Sequence, residues 1–268
     1  MFINKAPISK NQSKKLALLI GIEYTNTDNY LPGCIGDVVE MYNMLVNIYN
    51  IHPHNIIQLT DTNKIKPTRK NIIQSLELLK DKSNNSILDE IVIYYSGHGN
   101  QIKEIISNNE IDGMDEVIVP LDWESDGLIT DNKLHSILKN YNENINVKCI
   151  FDSCNSGTIL DLQYNYYYNT DNNSTNIIDR ENNKLSNNII CISGCKDKQT
   201  SNVVLNSDGV WKSALTTILI QLFSKHNNGV TFHSLDKQLN DYMVNQKLPQ
   251  APVISSSKPY KPGFIVKF

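Results

Sequence analysis

The sequence predicts an α/β fold: a three-layer α/β/α sandwich around a mostly parallel central sheet. Two observations carry this. Apolar runs bounded by turn residues recur at 14–22, 90–95, 146–151 and 188–193. The run at 90–95 (EIVIYY) is apolar without alternation, as expected of a strand covered on both faces. Segments with helical spacing stand between such runs, and strands alternating with helices build parallel sheets.

In chain order, residues 14–22 (KKLALLIGI) form a buried first strand, and 23–32 a polar loop. A helix follows over 35–49, with Ile35, Val38, Val39, Tyr42, Leu45, Val46 and Tyr49 on one face. A short strand is expected at 55–60, then a helix to Leu79 capped by Thr68, just after Pro67. The strand at 90–95 precedes extended segments at 101–106 and 116–120, which flank an acidic turn. Thr130 caps a helix to Leu138, and the strand 146–151 follows. Between 161 and 188 the pattern fails in a stretch of Asn, Tyr, Asp and Ser, so residues 162–188 are expected to be a mobile linker loop. Tyr164, Tyr166, Tyr167 and Tyr168 would pack that loop partly against the body. A strand at 188–193, helices at 210–223 and 232–245, a strand at 251–255 and a Pro-rich tail complete the chain. No internal repeat is present, and the 268 residues read as one domain after a polar N-terminal extension, 1–14.

Composition narrows the function. Hydrophobic residues make up 40% of the chain, enough for a sizeable core. The net charge of −3 gives no electrostatic case for nucleic acid or an anionic membrane. No apolar run approaches the roughly 18 residues of a membrane span, and the start has no apolar signal-peptide region. Five cysteines without a dense framework suit a reducing compartment, so the expected location is the cytoplasm. Cys191 and Cys195 lack a second ligand pair, so zinc is not expected.

Two strand ends carry the chemistry. The run 146–151 breaks into Asp152-Ser153-Cys154-Asn155-Ser156-Gly157, and 90–95 stops at Ser96-Gly97-His98-Gly99. Ligands sit at such sheet edges in α/β proteins. If the strands are neighbours, Cys154 is a nucleophile and His98 its base, with the Gly99 and Cys154 amides facing a tetrahedral oxyanion. The bland reading is a structural Cys and a turn His; it suits Cys149, Cys191 and Cys195 better, because they lie in or beside strands. The acidic residues Asp112, Asp115, Glu116, Asp131 and Asp161 read as a solvated surface or as an oxygen-only site for Ca²⁺ rather than zinc.

SGHG and DSCNSG resemble the two catalytic blocks of metacaspases, in the caspase-like cysteine peptidase clan. LALLIGIEY with LPGCIGD, DGMDEVIVPLDWE and ISGCKDKQTS are similar to three further blocks of that family, in the same order, and the likeness runs from about Lys15 to the C-terminus. With no prodomain and a short linker, the chain resembles a pared-down type I form. It departs from the pattern at Asn155, where the family usually has His, and at Pro32, where it usually has Arg.

The resemblance implies a caspase-like sandwich and a calcium-dependent cysteine endopeptidase with a Cys154–His98 dyad. It maps Asp37 and Asp152 to the pocket for the residue before the scissile bond, with Cys34 and Ser96 as lining. Two carboxylates there call for Arg or Lys in the substrate. It implies Ca²⁺ on Asp115, Asp131 and Asp161, with the fourth position falling on Asn132. Arg180 and Lys184, the only basic residues of the 162–188 stretch, are candidate self-cleavage sites. The expected partners are protein or peptide substrates, and the expected state is a monomer. The rival class is a weakly active or inactive caspase-like interaction or decoy module. Loss of a dyad residue would mark it, and neither is lost.

Overall fold

The computed structural model describes residues 14–103, 114–154, 156–181, 183–196, 203–205 (backbone) and 209–268. Most of the N-terminal extension, Asp112, Asn155 and the 104–106 end of one expected strand lie outside the described residues.

The elements run β1 (Lys15–Gly21), α1 (Cys34–Asn47), β2 (Ile56–Thr60), α2 (Arg69–Asn85), β3 (Glu90–Ser96), β4 (Gly99–Lys103), β5 (Met114–Ile118) and α3 (Trp123–Asp126). Then come β6 (Ile129–Thr130), α4 (Asp131–Leu138), β7 (Asn146–Asp152), β8 (Tyr164–Asn169), β9 (Ser174–Asp179), β10 (Asn188–Ser193) and β11 (Val203–Leu205). The last are β12 (Trp211–Ser213), α5 (Ala214–Lys225), β13 (Val230–Thr231), α6 (Phe232–Asn245), β14 (Val253–Ser256) and β15 (Ile265–Val266).

Among the described residues the main sheet has eight strands in the order β2-β1-β3-β7-β10-β14-β8-β9. The first five are parallel and the last three antiparallel. β1 shows why its run does not alternate. Leu16, Leu18 and Ile20 pack with Ile72, Leu76 and Leu79 of α2 and Leu134, Ile137 and Leu138 of α4. Ala17 and Leu19 face the other way, toward Val38, Met41 and Leu45 of α1 and Leu215, Leu219 and Phe223 of α5. Both faces are covered, so both sets of side chains are apolar. The expected caps form: Thr68, Thr130 and Thr231 each accept from the amide three residues on, at 3.2, 3.2 and 3.3 Å, worth about 1 kcal/mol each.

Three expectations need correction. The 162–188 stretch is not a loop but largely a hairpin, β8–β9, that extends the sheet from β14. Its buried face is aromatic rather than aliphatic. Tyr166 is buried with its ring 4.6 Å from Phe232, and tyrosine suits a half-buried pleated surface. Thr175 Oγ1 donates to buried Asp236 on α6 at 2.5 Å, pinning β9 to the body. The helix expected from 210 starts at Ala214, because Trp211–Ser213 pairs with Val203–Leu205 instead. The tail contains a strand: Ile265–Val266 pairs with Val230–Thr231.

The register sets up one working edge. Gly21 lies opposite Ser96, Ser96 opposite Asp152, and Phe151 opposite Ser193. The C-terminal ends of β1, β3, β7 and β10 are therefore level, where α/β sheets hold ligands.

Candidate active site

The turns after β3 and β7 leave the sheet side by side. The Gly97 amide donates to the Asp152 carbonyl at 3.4 Å. A Cβ on Gly99 would lie 2.2 Å from the Cys154 carbonyl oxygen and 3.0 Å from Ser153 Oγ. Glycine is needed at 99 because another backbone occupies the side-chain space. The structure thus brings together the turns that carry His98, Gly99 and Cys154. Cys154 is partly exposed, while Cys34, Cys149, Cys191 and Cys195 are buried. Burial pushes the Cys191 thiol up to about 12 and those of Cys34 and Cys149 well up, which leaves them as inert packing.

His98 is held by Asn29, Tyr24 and Tyr95. Its Nε2 lies 2.8 Å from the Asn29 carbonyl oxygen. A carbonyl only accepts, so Nε2 carries the hydrogen and Nδ1 of the neutral ring keeps its lone pair. The Tyr24 ring lies 4.7 Å from the imidazole at 33°. Tyr24 Oη accepts from the His98 amide at 3.1 Å and donates to the Val119 carbonyl at 2.6 Å. Tyr95 Oη donates to the His98 carbonyl at 2.7 Å. Burial drives both phenols far above their ordinary pKa, so they stay neutral donors. None of these partners was legible: Tyr24 and Asn29 stand in a polar loop, and Tyr95 ends an apolar run.

Beside this turn lie Asp37 and Asp152, 1% and 4% exposed. Asp37 sits in the first turn of α1, whose entry depends on Gly33 at φ 102°. Glu23 Oε1 accepts from the Gly33 and Ile35 amides there, at 3.0 and 3.2 Å. Ser96 Oγ donates to Asp37 Oδ2 at 3.2 Å, and the Ser213 amide to Oδ1 at 3.3 Å. Asp152 Oδ2 accepts from the Ser213 hydroxyl and from Thr216 N and Oγ1, at 3.0 and 2.7 Å for Thr216. Burial and then the Asp152 charge raise the Asp37 carboxyl well above its usual range. No Lys or Arg among the described residues forms an ion pair with Asp37. Of the two residues expected to line a pocket here, Ser96 bonds Asp37 directly and Cys34 is buried beside both. Ser213 and Thr216 join this group and were missed, since the expected helix swallowed them.

The third cluster holds Asp115, Asp131 and Asp161, all buried. Asn132 Nδ2 donates to Asp115 Oδ1 at 3.1 Å. Asp131 accepts from the Glu116 and Asn132 amides at 2.7 and 2.5 Å. Burial, then the Asp161 charge, pushes Asp131 up to about 9. Arg180 Nη1 stands 3.8 Å from Asp161 Oδ1. Among the described residues no three or more His, Cys, Asp and Glu side chains gather as a ready ligand cage. The donors are all oxygen, the kind a hard cation takes, but in this arrangement Asp161 faces the Arg180 guanidinium and Asp115 the Asn132 amide.

Of the two residues expected as self-cleavage sites, Arg180 is tied into the fold. Its amide donates to the Gln163 carbonyl at 2.7 Å, and its side chain is 19% exposed against Asp161. Lys184 is exposed.

A mostly parallel sheet, covered on both faces and presenting Cys and His turns at adjacent strand ends, defines the caspase-like class of α/β/α sandwich. A family model described as the metacaspase, peptidase C14 domain matches residues 14–163, and the chain belongs to the metacaspase family. Metacaspase-1 of Schizosaccharomyces pombe is 32% identical over 92% of this chain and 68% of its own length. Metacaspase-1 of Saccharomyces cerevisiae is 40% identical over 59% of this chain and 37% of its own, so the chain spans little more than a third of that relative. A crystal structure of a Geobacter sulfurreducens protein shares the fold at TM-score 0.61 and 23% identity, covering 94% of this chain and 96% of that one. No helix among the described residues is long and apolar enough to cross a membrane.

Proposed function

We propose that this protein is a cysteine endopeptidase that cleaves after Arg or Lys and is activated by calcium. The observation that carries the reading is the backbone contact between Gly99 and Cys154, beside a His98 ring whose Nε2 is tied to Asn29. Cys154 Sγ attacks the scissile carbonyl while His98 Nδ1 takes the thiol proton. The Gly99 and Cys154 amides steady the oxyanion. His98 then hands the proton to the leaving amine, and water, deprotonated by the same nitrogen, releases the acyl group. Asp37 and Asp152 receive the basic side chain, for which a planar bidentate guanidinium is the better match.

Asp115, Asp131, Asp161 and the Asn132 amide would hold calcium, which when bound supplies the positive charge that offsets these carboxylates. The enzyme acts as a monomer in the cytoplasm, a compartment in keeping with its free cysteines, and self-cleaves after Lys184 rather than Arg180.

A fluorogenic peptide panel ending in Arg, Lys, Asp and Asn, with and without calcium, tests the reading. Turnover of the Arg and Lys peptides alone, lost in Cys154→Ala, is the expected result. Equal turnover of the Asp peptide would sink the pocket assignment. N-terminal sequencing after calcium treatment locates the cut, and light scattering gives the oligomeric state.

A further inference from the structure

We infer that Tyr24 is a positioning residue for His98: it holds the imidazole in the one orientation and tautomer that can serve Cys154. The inference rests on the dyad reading above and adds a residue to it.

Tyr24 grips the histidine at two independent points, its ring against the imidazole at 4.7 Å and its Oη under the His98 amide at 3.1 Å. The same Oη donates to the Val119 carbonyl at 2.6 Å, so the phenol ties the turn to the residue that follows β5. The third hold on the ring, the Asn29 carbonyl, is placed by the main chain of Tyr24. Thr27 Oγ1 donates to the Tyr24 carbonyl at 2.7 Å and accepts from the Asn29 amide at 3.2 Å, a short relay that places residue 29.

The backbone at Tyr24 is itself constrained. It adopts φ 52°, which a residue with a side chain rarely takes. Asp61 holds it there, accepting from both flanking amides, Glu23 at 3.0 Å and Thr25 at 3.1 Å. Strain kept beside a reacting group is a signature of preorganisation. A ring with an unfixed tautomer loses most of its value as a base.

The test uses ¹⁵N-histidine-labelled protein in the Cys154→Ala background, where the ring-nitrogen shifts of His98 report its tautomer without turnover. The parent should show a single form protonated at Nε2. Tyr24→Phe keeps the ring but loses Oη, and Tyr24→Leu loses both; each should give a mixture of tautomers. In the active background kcat should fall roughly 10-fold for Tyr24→Phe and roughly 100-fold for Tyr24→Leu, with KM within about twofold. If Tyr24→Leu does not fold, the isosteric Tyr24→Phe decides. A single unchanged tautomer and parental kcat in Tyr24→Phe overturn the inference. Peptidase activity surviving in Cys154→Ala overturns the dyad instead and is checked first.

Discussion

Gly99 stands so close to Cys154 that a methyl group on residue 99 would lie 2.2 Å from the Cys154 carbonyl oxygen. The two turns proposed to carry base and nucleophile are thus spaced by backbone contact rather than by a side chain. Gly99→Ala must push them apart. A displacement of about 1 Å in a reacting group costs on the order of a hundredfold. We expect kcat/KM to fall at least that far while the melting temperature drops by only a few degrees. Parental activity in Gly99→Ala would show that the spacing of these turns is not limiting.

The buried Asp37–Asp152 pair beside them makes a charge prediction. Asp152 accepts from Ser213 and Thr216, so truncation to Ala would also strand buried donors. Asp152→Asn keeps an acceptor oxygen and removes the charge. Loss of one partner from a buried ion pair costs about 3 kcal/mol or more, roughly a hundredfold in kcat/KM for an Arg peptide. Thermal stability should change far less. Unchanged Arg cleavage would place the basic side chain elsewhere.

Asp131 predicts a pH dependence. Its carboxyl, pushed to about 9 in the folded protein against an ordinary value of 3.8, binds a proton that the unfolded chain has already released. Stability without metal should therefore decline as pH rises from about 4 to about 9, and level off above that. Asp131→Asn should flatten this slope between pH 6 and 8.5. Thermal melts in chelator, run for both proteins across that range, measure it. A parent whose melting temperature rises with pH there would contradict the assignment.

How much of this was legible in the sequence depends on the kind of signal. Cys154 and His98 could be found because each follows a mainly apolar run, interrupted in β7 by Lys148, that breaks into glycine and small polar residues, a pattern with few readings. Four of the five parallel strands, β1, β3, β7 and β10, were legible for the same reason: their middles are covered on both faces and mostly apolar, whereas β2 lies at the sheet edge and is only half-buried over Ile56–Gln58. The β8–β9 hairpin was not, because the buried side chains of β8 are Asn165, Tyr166 and Tyr168, and aliphatic periodicity does not register them. Ser213 and Thr216 were hidden by a helix boundary placed four residues early. Tyr24 and Asn29 act through a backbone amide, a ring face and a carbonyl, contacts that exist only once the chain has folded back on itself.

The last prediction concerns Asn132. Its Nδ2 donates to Asp115 Oδ1 at 3.1 Å, so the side chain already spans part of the acidic cluster as a neutral bridge. Asn132→Asp removes that donor and sets a second charge against Asp115. The metal-free protein should lose stability, since like charges a few ångströms apart repel by on the order of several kcal/mol at an effective dielectric near 20, less after solvation. A divalent cation reverses the balance, because affinity for calcium follows the number of charged oxygen ligands. We therefore expect Asn132→Asp to melt lower in chelator, to gain more on calcium addition, and to reach half-maximal activity at less calcium than the parent. Asp115→Ala should raise that midpoint and leave the fold intact. Direct calcium titration by calorimetry on the three proteins separates binding from activity. If the Asn132→Asp midpoint coincides with the parent's by both measures, the cation does not sit at Asn132, and the placement on Asp131 falls with it.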